Sequence, residues 1–371
     1  MQLQTKLLKR TSGAEEKFQH FLPTGLRELV RTTRIVGGRQ MLQLLRAYRV
    51  GWQGIISGYY TTRTMQALFN VGFFDEMQRA GRVDAAAFAD QHDLDPYILE
   101  RLAESLYALR ILDKAGSAYV LDDKGKVLVD VAHGWFDSAY GYEDLFHALE
   151  GMLRKEQQYG SDVNRRAPNI ARGTGNMEKL IYFPLAIDMI DALGARHVLD
   201  LGCGDAIFLR ELCAQRAHVT GYGLDIAADT IAEGQAAVRE AGLSARIHLF
   251  VEDVTRVEQL PAPLEQIEVA TIFFVLHELL YQGFETAVDF LKSYRSHFPG
   301  VPLIVFEAVK PSTETMRKRP GMAVHYFLQH ELSQQRPVSQ AEWRQLFRAA
   351  GFDSVEERYL DFARTAIFTL S

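Results

Sequence analysis

The stretch Val198-Leu-Asp-Leu-Gly-Cys-Gly-Asp-Ala-Ile-Phe-Leu209 constrains this chain more than any other. An apolar run fit for a buried strand enters Gly202-Cys203-Gly204 and then a segment with helical spacing. Glycines at such a junction remove Cβ atoms, so a ligand can approach the main chain, and the following helix offers unpaired N–H groups. Strand, glycine turn and helix in that order predict an α/β domain with a nucleotide-like ligand at the turn.

Beyond this segment apolar strands alternate with helices: His197 to Leu201, Val219 to Leu224, Ile247 to Val251, Val269 to Val275, Leu303 to Glu307 and Thr365 to Leu370. Alternation of this kind predicts a parallel-rich sheet covered by helices. Ahead of it, from Gln40 to Leu112, the pattern is helical, with Met41, Leu44, Leu45 and Tyr48, and later Leu99, Leu102, Leu106 and Leu109, on shared faces. Asp84 opens one helix there, and Asp95-Pro96 caps a second, giving a helix-turn-helix outline. Ala118 to Leu121, a polar turn from Asp122, and Lys126 to Val129 then predict a hairpin, so this part reads as a winged helix.

A helical linker around Tyr142 follows. A Gly/Asn/Arg-rich stretch from Tyr159 to Asn176 then breaks the pattern before a helix over Met177 to Leu193. The division is expected near residue 150: residues 1–150 form the helical domain and linker, residues 151–371 the catalytic domain. Lys310 to Pro320, charged and bounded by prolines, reads as an exposed excursion suited to a mobile lid.

Three acids flank the glycine turn in order. Asp200 lies inside the strand before it, where it suits a cationic amino acid moiety. Asp225, 25 residues further on, closes the next strand and can accept ribose hydroxyls. Glu252-Asp253 follows the third strand, where it can take an adenine amino group. Together with Ile226 and Val254 beside the two later acids, these describe a site for S-adenosylmethionine. The set resembles the class I methyltransferase fold, whose nucleotide loop, ribose acid and adenine acid match Gly202 and Gly204, Asp225, and Asp253. Ala206 stands where a third glycine is often found.

The fourth strand runs into His277-Glu278, placing polar groups at the carboxyl edge of the sheet. Further on, His325 and His330 precede a Ser339-to-Glu342 capping box, so one or both can reach the same site, and two imidazoles can chelate a metal. His277 alone also has a plainer reading, as a hydrogen-bonded residue at a strand end. Over roughly residues 60–365 the chain is similar to the α-keto acid C-methyltransferases that make precursors of β-methyl amino acids. That resemblance implies an α-keto acid chelated to iron held by His277 and His330, with Glu278 standing where the relatives have Asp. It also implies Arg165 as the carboxylate anchor, because it lies 19 residues before Pro184, the proline that opens the last helix ahead of the glycine motif. Arg166 and Arg172 compete for that role. His330, 13 residues before Trp343, keeps the family register, and His325 does not. Two neutral histidines with oxygen ligands also suit iron better than magnesium. A guanidinium side chain on the substrate would need a carboxylate, and Glu278, Glu307 and Glu331 are available.

Two other readings compete. A metal-free small-molecule O-methyltransferase would use His277 as general base. A transcription factor would read DNA through the helix-turn-helix, but Asp95 to Leu106 carries more acids than bases, and the net charge of −6 offers a polyanion nothing. The partner is therefore expected to be a small molecule, with no nucleic acid. Related enzymes imply a homodimer through the N-terminal domain. Two cysteines cannot build a disulfide framework, no apolar run approaches the roughly 20 residues of a membrane span, and the first residues lack the apolar stretch of a signal peptide. The expectation is a cytoplasmic protein without a membrane anchor.

Overall fold

The computed structural model describes residues 26–259 and 266–371. They form two compact units, one ending at Val71 and one running from Gly72 to Ser371. Among the described residues the first holds the helices Leu26–Val36, Gly38–Arg49 and Trp52–Asn70. Gly37 and Gly51 join them with φ of 88° and 71°, in the left-handed region that a glycine enters without steric cost. The helix Trp52–Asn70 keeps Ile55, Tyr59 and Tyr60 exposed.

The second unit opens with helices Phe73–Ala80, Ala85–Gln91 and Pro96–Ala108. The expected caps are in place: Asp84 accepts from the Ala87 amide at 3.1 Å, and Asp95 from the Tyr97 and Ile98 amides, both at 2.9 Å. A hairpin follows, β1 (Leu112–Ala115) pairing antiparallel with β2 (Ala118–Leu121). This corrects the expected wing. Ala118–Leu121 pairs backwards, and Lys126 to Val129 belongs to the helix Asp123–Asp130. Gly116, at φ 69°, makes the tight reversal, while the Asp122 carboxylate caps the helix on the Asp123 amide and so stops the strand. Gly125 lets that helix lie against β1's approach, because a Cβ there would stand 2.0 Å from the Ile111 carbonyl oxygen.

The long helix Ala167–Leu193 corrects a second expectation, since it begins ten residues before Met177 and contains Pro184 rather than being opened by it. Glycines argue against a helix locally, at about 1 kcal/mol each. Here they serve its packing instead: a Cβ on Gly173 would meet the Ser138 amide at 2.7 Å, and one on Gly134 the Gly173 carbonyl at 2.5 Å. The helix His133–Gly141 can cross at that point only because neither position has a side chain.

The sheet comprises β3 (His197–Leu201), β4 (Thr220–Asp225), β5 (Ile247–Val251), β6 (Val269–Phe273), β7 (Leu303–Ala308), β8 (Val355–Leu360) and β9 (Thr365–Leu370). Its order is β5-β4-β3-β6-β7-β9-β8, with β9 antiparallel to both neighbours and the rest parallel. Strand β8 has no counterpart among the expected strands. As the edge strand it carries Glu356, Glu357 and Arg358, and those charges mask apolar alternation. One face packs on a core containing Leu201, Tyr294, Trp343 and Phe347, the other on Phe183, Phe208, Phe273 and Phe306. The result is a mixed α/β protein with a helical N-terminal region and a central, mainly parallel sheet. The chain winds outward from β3 to β5, then returns to β6 on the other side of β3. The strand order therefore reverses between β3 and β6, where such sheets open a crevice beyond their carboxyl ends. No helix among the described residues is long and apolar enough to cross a membrane.

Candidate active site

The glycine turn lies at that crevice. Gly202 and Gly204 have φ of 78° and 55°, and both the Gly202 and Cys203 amides donate to the Leu224 carbonyl, at 2.8 and 2.9 Å. A Cβ on Gly202 would stand 2.5 Å from Val275 Cγ2, so the turn fits flush against the segment that leaves β6. Ala206, in the position of a third glycine, adopts φ 61° despite its Cβ, a strain of roughly 1 kcal/mol held by the surrounding fold.

Asp225 ends β4 with one oxygen accepting from the Gly204 amide at 3.0 Å and the other from the Ala227 amide at 2.9 Å, which fixes its carboxylate beside the turn. Asp253 lies just past β5 and accepts from both the amide and the hydroxyl of Thr255. One of its oxygens is thus used as a local cap. Val254 is buried, whereas Ile226 is exposed. Asp200 sits in β3 at 2% exposure, accepting from the Thr271 hydroxyl of β6 at 2.7 Å. Burial, with the Asp225 charge adding to it, pushes its carboxyl up to about 7.

Two histidines meet across the crevice. Phe274, at φ 55°, turns the chain sharply out of β6, so that His277 begins the helix Leu276–Gln282 almost wholly buried. His277 Nδ1 lies 2.9 Å from Glu307 Oε2 of β7, and with a carboxylate as acceptor the proton resides on Nδ1. Its Nε2 is buried without a hydrogen-bond partner. His330 lies in the helix Met322–Leu332, buried on the same face as Phe327, and donates Nδ1–H to the Tyr326 carbonyl at 2.6 Å. Burial, and next the nearby His277, hold its pKa well below the ordinary value, so the ring is neutral. The two rings stand 5.2 Å apart at 68°, and the Arg336 amide, donating to the His277 carbonyl at 2.9 Å, ties the two segments together. His325 is exposed. Of the two candidates, only His330 reaches His277.

Arg165 donates to Glu278 at 2.6 Å. Burial works against ionisation of Glu278, but Arg165 and His277 outweigh it and hold the carboxyl below its usual value. Gln335 also donates to Glu278, at 2.6 Å, and Tyr142 donates its hydroxyl to Gln335 at 3.1 Å. The competing arginines are engaged elsewhere, Arg166 with Asp144 and Glu143, and Arg172 with Asp137. Tyr142, Tyr326 and Gln335 have no motif signal in the sequence. The i, i+4 spacing of Tyr326 and His330, whose rings lie 3.9 Å apart, is the one hint. Glu307, expected only as a carboxylate for a charged substrate, instead orients His277.

A family described as "Methyltransferase domain" matches residues 152–357. The chain belongs to the methyltransferase family. Over 318 residues this methyltransferase is 25% identical to a 2-ketoarginine methyltransferase of Streptomyces arginensis, covering 82% of this chain and 89% of that one. Its fold is similar to human N-acetylserotonin methyltransferase, solved with S-adenosylmethionine, at TM-score 0.65 and 15% identity, covering 87% and 97% of the two chains. It is also similar to an O-methyltransferase family protein from Burkholderia thailandensis, at TM-score 0.59 and 18% identity, with 87% and 97% covered. The methyltransferase is an S-adenosylmethionine-dependent enzyme of the class I fold. No group of three or more His, Cys, Asp or Glu side chains among its described residues is arranged to hold a metal ion.

Proposed function

We propose that this methyltransferase transfers a methyl group to the β-carbon of an α-keto acid, supplying a precursor of a β-methylated amino acid. One observation carries the reading: two buried imidazoles 5.2 Å apart, each with Nδ1 tied back to an acceptor, leave their Nε2 lone pairs available. The donor set fits a metal supported by two histidines and substrate oxygens, since an anchored Nδ1 both fixes the tautomer and raises the basicity of Nε2. The orphaned Nε2 of His277 is the structural sign of that fit. Iron held by His277 and His330 would act as Lewis acid toward the carboxylate and keto oxygens of the substrate.

The chain's own residues supply the rest. Arg165 uses one terminal nitrogen on Glu278, leaving further donors to anchor the substrate carboxylate. Glu278 has Oε1 engaged by Arg165 and Gln335, and its second oxygen would receive the β-proton. The electron pair left on carbon then forms the new C–C bond as the methyl–sulfur bond breaks and the sulfonium becomes a neutral thioether. Gly202, Gly204, Asp200, Asp225, Ile226, Asp253 and Val254 would bind and orient the cofactor for in-line attack. The likeness to a 2-ketoarginine methyltransferase supports the keto acid. We assign residues 1–150 to a helical, winged-helix-like dimerisation region with its linker, residues 151–371 to catalysis, and the protein to the cytoplasm.

A metal-free O-methyltransferase is favoured by the His277–Glu307 pair, which also suits a general base oriented by a carboxylate. That reading gives His330 no task. The deciding experiment is elemental analysis of protein purified without chelator, for wild type, His277→Ala and His330→Ala, beside methyl transfer to a panel of α-keto acids. Near-stoichiometric iron lost in both variants along with keto-acid turnover is expected. Metal-free protein that methylates a hydroxyl would make His277 a base and His330 structural.

A further inference from the structure

Every carboxylate named from sequence for a cationic substrate is already engaged. Glu278 is paired with Arg165, Glu307 with His277, and Glu331 with Lys310. Glu178, in the middle of the long helix, is not. It is 6% exposed, and its Oε1 is buried without any hydrogen-bond partner. A buried carboxyl left unpaired is unfavourable unless a partner arrives or the group is neutralised.

Its position follows from the helix. Residues 171, 175, 178 and 182 share one face at helical spacing. A Cβ on Gly204 would stand 3.5 Å from Ala171 Cβ, and one on Gly175 would stand 2.4 Å from Ile207 Cγ2, so this face lies along the glycine turn and the helix start after it. Four residues beyond Glu178, Tyr182 packs its ring 5.3 Å from Phe274, at the exit of β6 that leads to His277. Glu178 therefore sits between the cofactor turn and the histidine pair. Burial, then the nearby Asp200 and Glu307, push its pKa well above the ordinary value, so a cation arriving beside it would offset what burial and those two carboxylates impose. Tyr326, whose ring lies tilted against His330 with centroids 3.9 Å apart, is within electrostatic range of both Glu178 and Glu307. Asp225, on the cofactor side, sets its charge against Asp200, whereas the charges acting on Glu178 are those of Asp200 and Glu307.

We infer that Glu178 is the specificity residue that receives a cationic group, a guanidinium or ammonium, at the end of the acceptor's side chain. Resting on the keto-acid reading above, this names the substrate class: α-keto acids of basic rather than aromatic or aliphatic side chain. Asp200 remains for the cofactor ammonium. A planar guanidinium would place two N–H donors on the two oxygens of Glu178.

The test compares the α-keto acid bearing a guanidinium on a three-carbon side chain with its urea counterpart, of the same shape but uncharged. Both are assayed with wild type, Glu178→Gln and Glu178→Asp, and S-adenosylhomocysteine affinity is measured throughout. Binding of an alkylguanidinium to the S-adenosylhomocysteine complex is measured in parallel. Wild type should prefer the charged acid by about 100-fold or more in kcat/KM, and Glu178→Gln should erase the preference, largely through KM. Glu178→Asp should restore part of it, and cofactor affinity should stay constant. Equal use of both acids by wild type overturns the inference while leaving keto-acid methylation intact. So does a Glu178→Gln variant that loses cofactor affinity but keeps its preference, because the carboxylate then belongs to the cofactor. Alkylguanidinium binding that depends on Glu178 in an enzyme that methylates no keto acid supports the cation site and removes the keto-acid reading instead.

Discussion

At position 200 the protein holds a carboxyl at 2% exposure whose pKa is raised from 3.8 to about 7, chiefly by burial. Between those values the unfolded chain has released its proton and the folded one has not, so the unfolded state binds fewer protons. Ligand-free stability should therefore fall as pH rises from about 4 and level off above about 7. Glu178, Asp225 and Cys203 are the titratable groups coupled to it. Asp200→Asn should flatten the fall in Tm between about pH 5 and about pH 8, and parallel curves for the two proteins would refute the assignment. Glu307 acts by a different route, through the 2.9 Å contact that fixes the His277 tautomer. Glu307→Gln keeps a polar group there but allows the ring either tautomer. Methyl transfer should drop roughly 10–100-fold with the fold retained, as read from kcat/KM and circular dichroism.

Among elements, the long helix Ala167–Leu193 decides most, because it presents Glu178 and Tyr182 to the crevice and follows directly on Arg165 and Arg166. Its crossing with His133–Gly141 depends on Gly134 and Gly173, and that second helix ends at Tyr142, the hydroxyl donor to Gln335. Gly173→Ala would set a methyl 2.7 Å from the Ser138 amide and 2.8 Å from the Gly134 carbonyl, both of them backbone. Overpacking of this kind should cost about 1–3 kcal/mol in denaturant unfolding and, by shifting Tyr142, lower turnover of the folded fraction. An unchanged midpoint would mean the helices separate freely. The same element shows why its start was hidden in the sequence. Gly173, Gly175 and Asn176 have weak local helix preference, and only the partner packed against them offsets it. The hairpin was misjudged for a related reason: Lys126 to Val129 has strand-like residues, but the Asp122 cap sets that segment on a helical course.

For the whole molecule, the helix Trp52–Asn70 exposes Ile55 at 72%, Tyr60 at 65% and Tyr59 at 57%, more apolar surface than a lone helix face ordinarily leaves to water. The homodimer expected from sequence would cover these side chains, and light scattering should then give twice the chain mass, persisting on dilution. Paired charges, such as Ile55→Glu with Tyr59→Lys, should yield monomers, while a wild-type monomer at all concentrations would exclude the dimer.

The sequence by itself determined the parallel core of the sheet, the glycine turn and the acids inside β3, at the end of β4 and just past β5, and the family resemblance added the preference for His330 over His325. These features are local: an apolar period, a glycine junction and residues at fixed distances along the chain express themselves before any long-range contact forms. Only the tertiary structure decided that Arg165, not Arg166 or Arg172, reaches Glu278, that Glu307 orients His277, and that Glu178 is left without a partner. Those choices depend on which charge lies opposite which after burial, and the pairs concerned stand 113 residues apart for Arg165 and Glu278 and 30 for His277 and Glu307. No spacing rule spans such separations, because strand order and helix crossing, rather than chain distance, bring those groups together.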